Sequence, residues 1–402
     1  MRVDRIRTVP VAGGGARLEA RVRYDDRPWR AEIAWFEAPA ALADALDPTT
    51  GDAFLTAFLP LAHALREPLD VDAPVDPTLL AGAAGVPAVW HRWYDVGADV
   101  VLRAPTKAAT NTAAAGAPAG VSAGTRRAAF FSGGVDSTYT ALAGAGRLDG
   151  RAPWIDELVF VEGFDVRLRA RAGLAVARHV AAASAARLGL PLHVVRTNLR
   201  DTRWHEADWA LVAHGALLAG IAHALGRRLH TAWIAASVSG GDDAPWGSHP
   251  ATDERLSAAT LAVRQHGFGV ERIEKLRAIA SVPGALDRLR VCWVSRAGDN
   301  CGRCVKCVQA RAMIDALAGP DAAPALPRAP DFLARLRAHP LEGGHDARNL
   351  DAIVVEARRR GLGALADAAA HARAAVPVVA DRVAVRVPRS RRPAAWRTLL
   401  AR

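Results

Sequence analysis

Lysine is nearly missing from this 402-residue chain: of its 52 basic residues, all but Lys107, Lys275 and Lys306 are arginine. The net charge of +11 and the isoelectric point near 10.5 therefore track an arginine- and alanine-rich composition, and nucleic acid is not among the expected partners. Cysteine is almost as scarce. The four present fall between Cys292 and Cys307, which excludes a disulfide framework spread through the fold. Long apolar runs are also lacking. The longest, Trp209 to Leu225, is short for a membrane span and carries His214, Gly215, Gly220 and His223, so it is expected to be a buried helix with packed or hydrogen-bonded histidines. Met1-Arg2-Val3-Asp4-Arg5 leads into no apolar segment with a small-residue cleavage site, so a cytoplasmic protein with no membrane partner is expected.

What is present is globular: 51% hydrophobic and 23% charged residues can build one large core plus a second unit. Residues 1–104 read as a small α/β domain, with strand-like runs at Arg17–Tyr24 and Trp29–Trp35 and helix-like stretches at Asp52–Leu65 and Pro77–Ala84. Its role is expected to be partner or substrate docking through Trp29, Trp35, Trp90 and Trp93, residues whose alternative place is the core. Residues 105–127 are an Ala/Pro/Gly-rich linker. From 128 to 320, short apolar runs at Ala128–Phe131, Leu158–Val161, Leu192–Val195 and Thr231–Ala235 alternate with helical stretches around Leu168–Leu188 and His205–Leu225. Such alternation predicts an α/β fold, a doubly wound and mostly parallel sheet with helices on both faces. Ligands then belong just beyond the strands, at Ser132–Ser137, Glu162–Asp165, Thr197–Arg200 and Ser237–His249. Residues 321–402 form a helical extension, with helices expected at Leu350–Arg360 and Ala364–Ala374 and a basic tail containing Arg389, Arg391 and Arg392.

The first strand of that alternation ends in Ser132-Gly133-Gly134-Val135-Asp136-Ser137-Thr138, where a helix can begin. Glycines at a strand-to-helix turn let backbone N–H groups wrap a pyrophosphate, the helix dipole favours its charge, and the Ser132, Ser137 and Thr138 hydroxyls add donors. Asp136 would meet Mg²⁺. The lysine of the G-x-x-x-x-G-K-[ST] loop is missing, so a standard kinase or GTPase site fits badly.

The cysteines are spaced C-x8-C-x2-C-x2-C. Two-residue gaps let neighbouring thiolates converge on one ion, and Cys292, Cys301, Cys304 and Cys307 together leave no open position. A structural Zn²⁺ is expected, with an iron–sulfur cluster as the alternative.

The loop resembles the S-G-G-x-D-S loop of the PP-loop ATP pyrophosphatases, and with Cys301-Gly302-Arg303-Cys304-Val305-Lys306-Cys307 the stretch 128–317 is similar to the 7-cyano-7-deazaguanine synthase family of the queuosine pathway. That resemblance implies an ATP-dependent carbon–nitrogen ligase. Its carboxylate substrate, 7-carboxy-7-deazaguanine, would take AMP from ATP, releasing pyrophosphate; ammonia would displace AMP to give the amide, and a second ATP-driven dehydration would give the nitrile. Residues 132–138 would hold the phosphates, Asp136 the Mg²⁺ and the four cysteines the Zn²⁺, while Lys275 would stabilise charge developing on the phosphates. Residue 2 is arginine, so the N-terminal cysteine of an asparagine-synthetase-like glutaminase is missing and ammonia or another amine must be supplied.

Departures from the family are equally informative. Glu162-Gly163-Phe164-Asp165 replaces its Tyr-Gln-Arg-His type of segment, and its substrate loop is replaced by Trp246-Gly247-Ser248-His249 followed by Asp253. Substrate contacts are expected from Asp165, Trp246, Ser248, His249 and Asp253, with Trp246 stacking on a planar base. With the extra flanking segments, the chain resembles synthase-like proteins of phage-defence operons, which implies an amine on a protein acceptor partner as the nucleophile. The rival readings are a tRNA-thiolating PP-loop enzyme, which would need a free cysteine or an open cluster, and a non-catalytic ATP-sensing module.

Overall fold

Ten strands form one sheet among the described residues of this computed structural model, which cover 1–97, 99–107, 125–237, 245–340 and 344–374. They are β1 (Arg2–Pro10), β2 (Ala16–Arg23), β3 (Ala31–Ala38), β4 (Leu69–Val71), β5 (Leu102–Arg103), β6 (Arg126–Phe130), β7 (Glu157–Glu162), β8 (Leu192–Thr197), β9 (Leu229–Ala235) and β10 (Ala262–His266). The order is β10-β9-β6-β7-β8-β3-β2-β1-β4-β5. From β10 to β8 every neighbour is parallel; β8, β3, β2 and β1 pair antiparallel, and β4 and β5 return to parallel pairing. The fold is α/β, with a mostly parallel sheet.

The helices are α1 (Asp52–Leu65), α2 (Pro77–Ala84), α3 (Val86–Tyr94), α4 (Val135–Gly144), α5 (Arg171–Leu188), α6 (His214–Ala224), α7 (Pro250–Asp253), α8 (Arg272–Ala280), α9 (Val305–Ala318), α10 (Phe332–Arg337), α11 (Gly344–Arg359) and α12 (Gly363–Ala374). Among the described residues none is long and apolar enough to cross a membrane. The helices expected over 52–65 and 77–84 form with those bounds, the second started by Asp76, whose carboxylate accepts from Thr78 N and Leu79 N.

Period-two alternation decides which layer each strand residue joins. Ala128, Phe130, Val159 and Val195 point into a core shared with Phe54 and Phe58 of α1 and Leu217 and Ile221 of α6. Ala129, Phe131, Leu158 and Phe160 point the other way, against Leu174, Ala177, Ala181 and Ala185 of α5. Where α6 meets α1, Gly220 lets the backbones touch: a Cβ there would sit 2.9 Å from Ala53 O. A third core joins α8 and α9 to α11 and α12 through Leu276, Met313, Leu350, Ile353 and Leu365.

Residues 1–104, read from the sequence as a small domain, extend the same sheet. β3 pairs with β8 through Phe36–Thr197 and Glu37–Arg196. Asn198 accepts from Trp35 N at 2.9 Å and donates to Ile33 O at 2.8 Å. Their core is also common property, since α1 lies in the layer that covers the parallel strands. Trp90 is buried in it, whereas Trp29 is 81% exposed. Most of the linker (108–124), Gly240 and Gly241 of the loop after β9, and the basic tail lie outside the described residues.

Candidate active site

The turn after β6 lies at the carboxyl edge of the central parallel strands, with β9 on one side and β7 on the other. Phe131 N donates to Val159 O, Gly133 takes a φ of +79°, and Gly134 is extended and starts α4. The positive φ is why glycine stands at 133. The hydroxyls close the turn: Ser132 Oγ and Ser137 Oγ are 3.2 Å apart, Ser137 Oγ donates to Gly134 O at 3.2 Å, and Gly134 N donates to Ser132 Oγ at 3.3 Å. Val135 is buried. Thr138, grouped with the phosphate ligands from sequence, lies two residues past Asp136 and so about 200° round the helix. It lines a separate cavity of about 160 Å³ with Phe131, Leu142, Arg187 and Val282.

Asp136, in the first turn of α4, is clamped from α8. Lys275 Nζ lies 3.0 Å from Oδ1 and Arg272 Nη2 3.0 Å from Oδ2. Lys275 is 1% exposed and also donates to Ala236 O at 2.6 Å, just past β9, so it is buried and not a surface lysine. Burial alone would raise the Asp136 carboxyl; the charges of Arg272 and Lys275, the Lys275 hydrogen bond and the charge of Lys306 outweigh it and hold the group below the usual range.

Beyond β7 and β8 an aromatic group assembles. Trp209 meets Phe164 edge-on at 5.0 Å, His214 lies at 5.6 Å from the indole, and Trp246 stands 6.0 Å from His214. Arg200 lies over the Trp209 ring, 4.3 Å from its centroid. His214 shares Trp209 O at 2.8 Å, and burial, reinforced by Lys306 and Arg200, pushes its imidazole down to about 4, so it is neutral at pH 7. His223 bonds to Leu256 O at 2.7 Å. Asp165 is exposed beside this group.

The other expected substrate contacts turn inward. Asp253 is 1% exposed; its Oδ2 accepts from Ser248 Oγ and Gln265 Nε2, both at 2.6 Å, and its Oδ1 accepts from Thr252 Oγ1 at 3.0 Å. Ser248 and Asp253 thus satisfy one another inside the turn, leaving no carboxylate oxygen for a substrate. His249 starts α7 by accepting from Ala251 N at 3.0 Å, and its ring sits edge-on to Trp93 and Phe268. The reason is local: a short polar stretch around a buried carboxylate must consume its own hydrogen-bonding groups. Trp246, by contrast, reaches the aromatic group, 6.0 Å from the His214 ring.

The sulfur atoms of Cys292, Cys301, Cys304 and Cys307 lie within 4.8 Å of one another, with Cys292–Cys304 and Cys301–Cys307 at 3.9 Å. A tetrahedral Zn²⁺ with Zn–S bonds of about 2.3 Å needs sulfurs about 3.8 Å apart. The four thiols therefore fit such an ion and could hold it. Asn300 orders the approach, accepting from Val291 N and Cys292 N and donating to Leu289 O and Ala325 O. Two residues before Cys292, Arg290 N donates to Gly133 O at 2.8 Å, so the cysteine loop and the glycine turn share a hydrogen bond.

Comparison of the chain with protein-family models, with curated proteins and with solved structures found no match.

Sequence reasoning missed Arg272, Arg290, Gln265 and Asn300, and reached Arg200 only as the last residue of the strand-end segment Thr197–Arg200. Arg272 had a usable signal, lying three residues before Lys275 and so on the same helix face. Arg290 had none: in a chain whose basic residues are nearly all arginine, no single arginine stands out.

Proposed function

We propose that this chain is a PP-loop ligase: it binds ATP at the turn after β6, transfers AMP to a carboxylate with release of pyrophosphate, and joins the acid to ammonia or another amine, which displaces AMP. The observation that carries this reading is the Asp136 clamp. The helix N-terminus and glycine turn, with Lys275 and Arg272, offer donors for phosphate oxygens, and the carboxylate those two cations hold ionised offers an acceptor for a metal ion in the same place. The Ser132, Gly133, Gly134 and Ser137 groups would cradle the pyrophosphate. Lys275 and Arg272 would meet developing charge as the bond between the α and β phosphates breaks. Asp136 would hold Mg²⁺, which supplies charge neutralisation on the phosphates when bound. The cysteine site would be structural, bracing the turn through Arg290.

The resemblance to 7-cyano-7-deazaguanine synthases makes 7-carboxy-7-deazaguanine the first acid to try. Sulfur transfer is disfavoured because the four cysteines converge on one site and none is left to carry a persulfide. Incubation with ATP, Mg²⁺ and the acid, reading nucleotide products and product mass, tests the proposal. AMP and pyrophosphate, abolished by Asp136→Ala, are expected; ADP as the product would refute it. A mass added to another protein would identify a protein acceptor, and a free amide or nitrile would identify ammonia.

A further inference from the structure

We propose that Arg200 is the receptor for the carboxylate of the acid substrate, held flat by Trp209; this rests on the ligase reading above and assigns the acid its place. Arg200 follows β8 at the carboxyl edge of the sheet, where ligands of parallel sheets bind. Its guanidinium is positioned from two sides, by the Trp209 ring at 4.3 Å and by Nη1 donating to Phe164 O at 2.8 Å. Its remaining N–H groups have no carboxylate within 4.0 Å among the described residues. The neighbouring arginines behave differently: Arg167 pairs with Asp201, Arg196 with Glu37 and Glu162, and Arg203 with Asp26 and Glu206.

A half-buried guanidinium with one arm held by Phe164 O keeps its remaining donors open to an incoming anion. Burial and the nearby charge of Arg167 both weaken its hold on the proton, and Asp165 and Asp201 offset them only from a distance. An incoming oxyanion would fill the fork with paired N–H donors, a geometry a lysine cannot supply. Two oxyanions are available, the acid's carboxylate and a phosphate of ATP. The carboxylate is the better match, because the phosphates have their own donors at the turn after β6, while Arg200 stands beside Phe164, Trp209, His214 and Trp246, which form a wall for a flat organic acid.

The test is calorimetric titration of the full chain with 7-carboxy-7-deazaguanine, indole-3-carboxylate and, separately, ATP. The wild type is expected to bind at least one of the acids. Arg200→Gln should weaken that binding about 30-fold, Arg200→Lys should restore little of it, and ATP binding should stay within about 2-fold in both variants. No acid bound by the wild type, acid binding unchanged in Arg200→Gln, or a loss confined to ATP would each overturn the assignment. Acid binding that depends on Arg200 without AMP formation would instead sink the ligase reading and leave the receptor standing. AMP formation by Arg200→Gln at an unchanged KM for the acid would do the reverse.

Discussion

Lys275 Nζ bridges two elements at once, lying 3.0 Å from Asp136 Oδ1 on α4 and 2.6 Å from Ala236 O beyond β9. Its ammonium therefore ties the glycine turn to the neighbouring strand and, with Arg272, favours the ionised form of Asp136.

Removing that ammonium separates its two roles. Lys275→Met leaves Asp136 with Arg272 as its only ion-pair partner among the described residues, and AMP formation should fall at least about 100-fold, as expected for loss of a preorganised charge at the reacting phosphates. The fold should lose about 3 kcal/mol, because a buried partner is stripped from a carboxylate. Adding Asp136→Asn to Lys275→Met should recover part of that stability and none of the activity. Denaturant titration beside pyrophosphate release reads both.

Asn300 makes four hydrogen bonds around the cysteine loop, so Asn300→Ala should weaken zinc binding about 10- to 100-fold even though no ligand is changed. Competition with a chromophoric chelator measures this directly. Unchanged affinity would mean that the loop is ordered by other contacts.

Zinc content should be one per chain by elemental analysis, and Cys301→Ser should lower it. Because Arg290 N is bonded to Gly133 O two residues before Cys292, stripping the metal should also raise the KM for ATP. An apo protein with normal ATP binding would show that the two loops are independent.

Burial raises the Asp253 carboxyl to about 6, against the hydrogen bonds of Ser248, Gln265 and Thr252. A group whose folded pKa lies above its unfolded value stabilises the fold below the unfolded value, here near 4, and loses that contribution as pH rises through 6. The contribution lost is up to about 3 kcal/mol. Asp253→Asn should therefore gain stability relative to wild type between pH 4 and 7, measured by urea unfolding at both ends of that window. A constant difference across the window would show that the carboxyl titrates normally.

Much of the fold was legible in the sequence because it is written locally. The strands at 128–131, 158–161, 192–195 and 231–235 and the helices at 52–65 and 77–84 follow from periodicity and capping, which depend on residues a few positions apart. The glycine turn and the cysteine spacing were legible for the same reason: each is a short stretch whose backbone freedom or ligand geometry is set by its own residues. β10 was not legible, because Ala262-Val-Arg-Gln-His is short and polar and forms a strand only by pairing with β9.

What only the tertiary structure decided was the partner of each polar group. Asp136 and Lys275 are 139 positions apart, and nothing in either stretch shows that the lysine is buried against the carboxylate. Asp253 and Ser248 looked like substrate ligands, yet packing closed them on each other and on Gln265. The first hundred residues looked separate because strand periodicity does not name its neighbour; the β3–β8 pairing joined them to the central sheet. The sequence by itself determined the glycine turn, the thiol set and the alternation of strand and helix, since those depend on local backbone and side-chain chemistry. Which cations face Asp136, which arginine keeps an open fork and which carboxylates are consumed by the fold depend on long-range burial, where an unpaired charge is too costly to leave without a partner or a ligand.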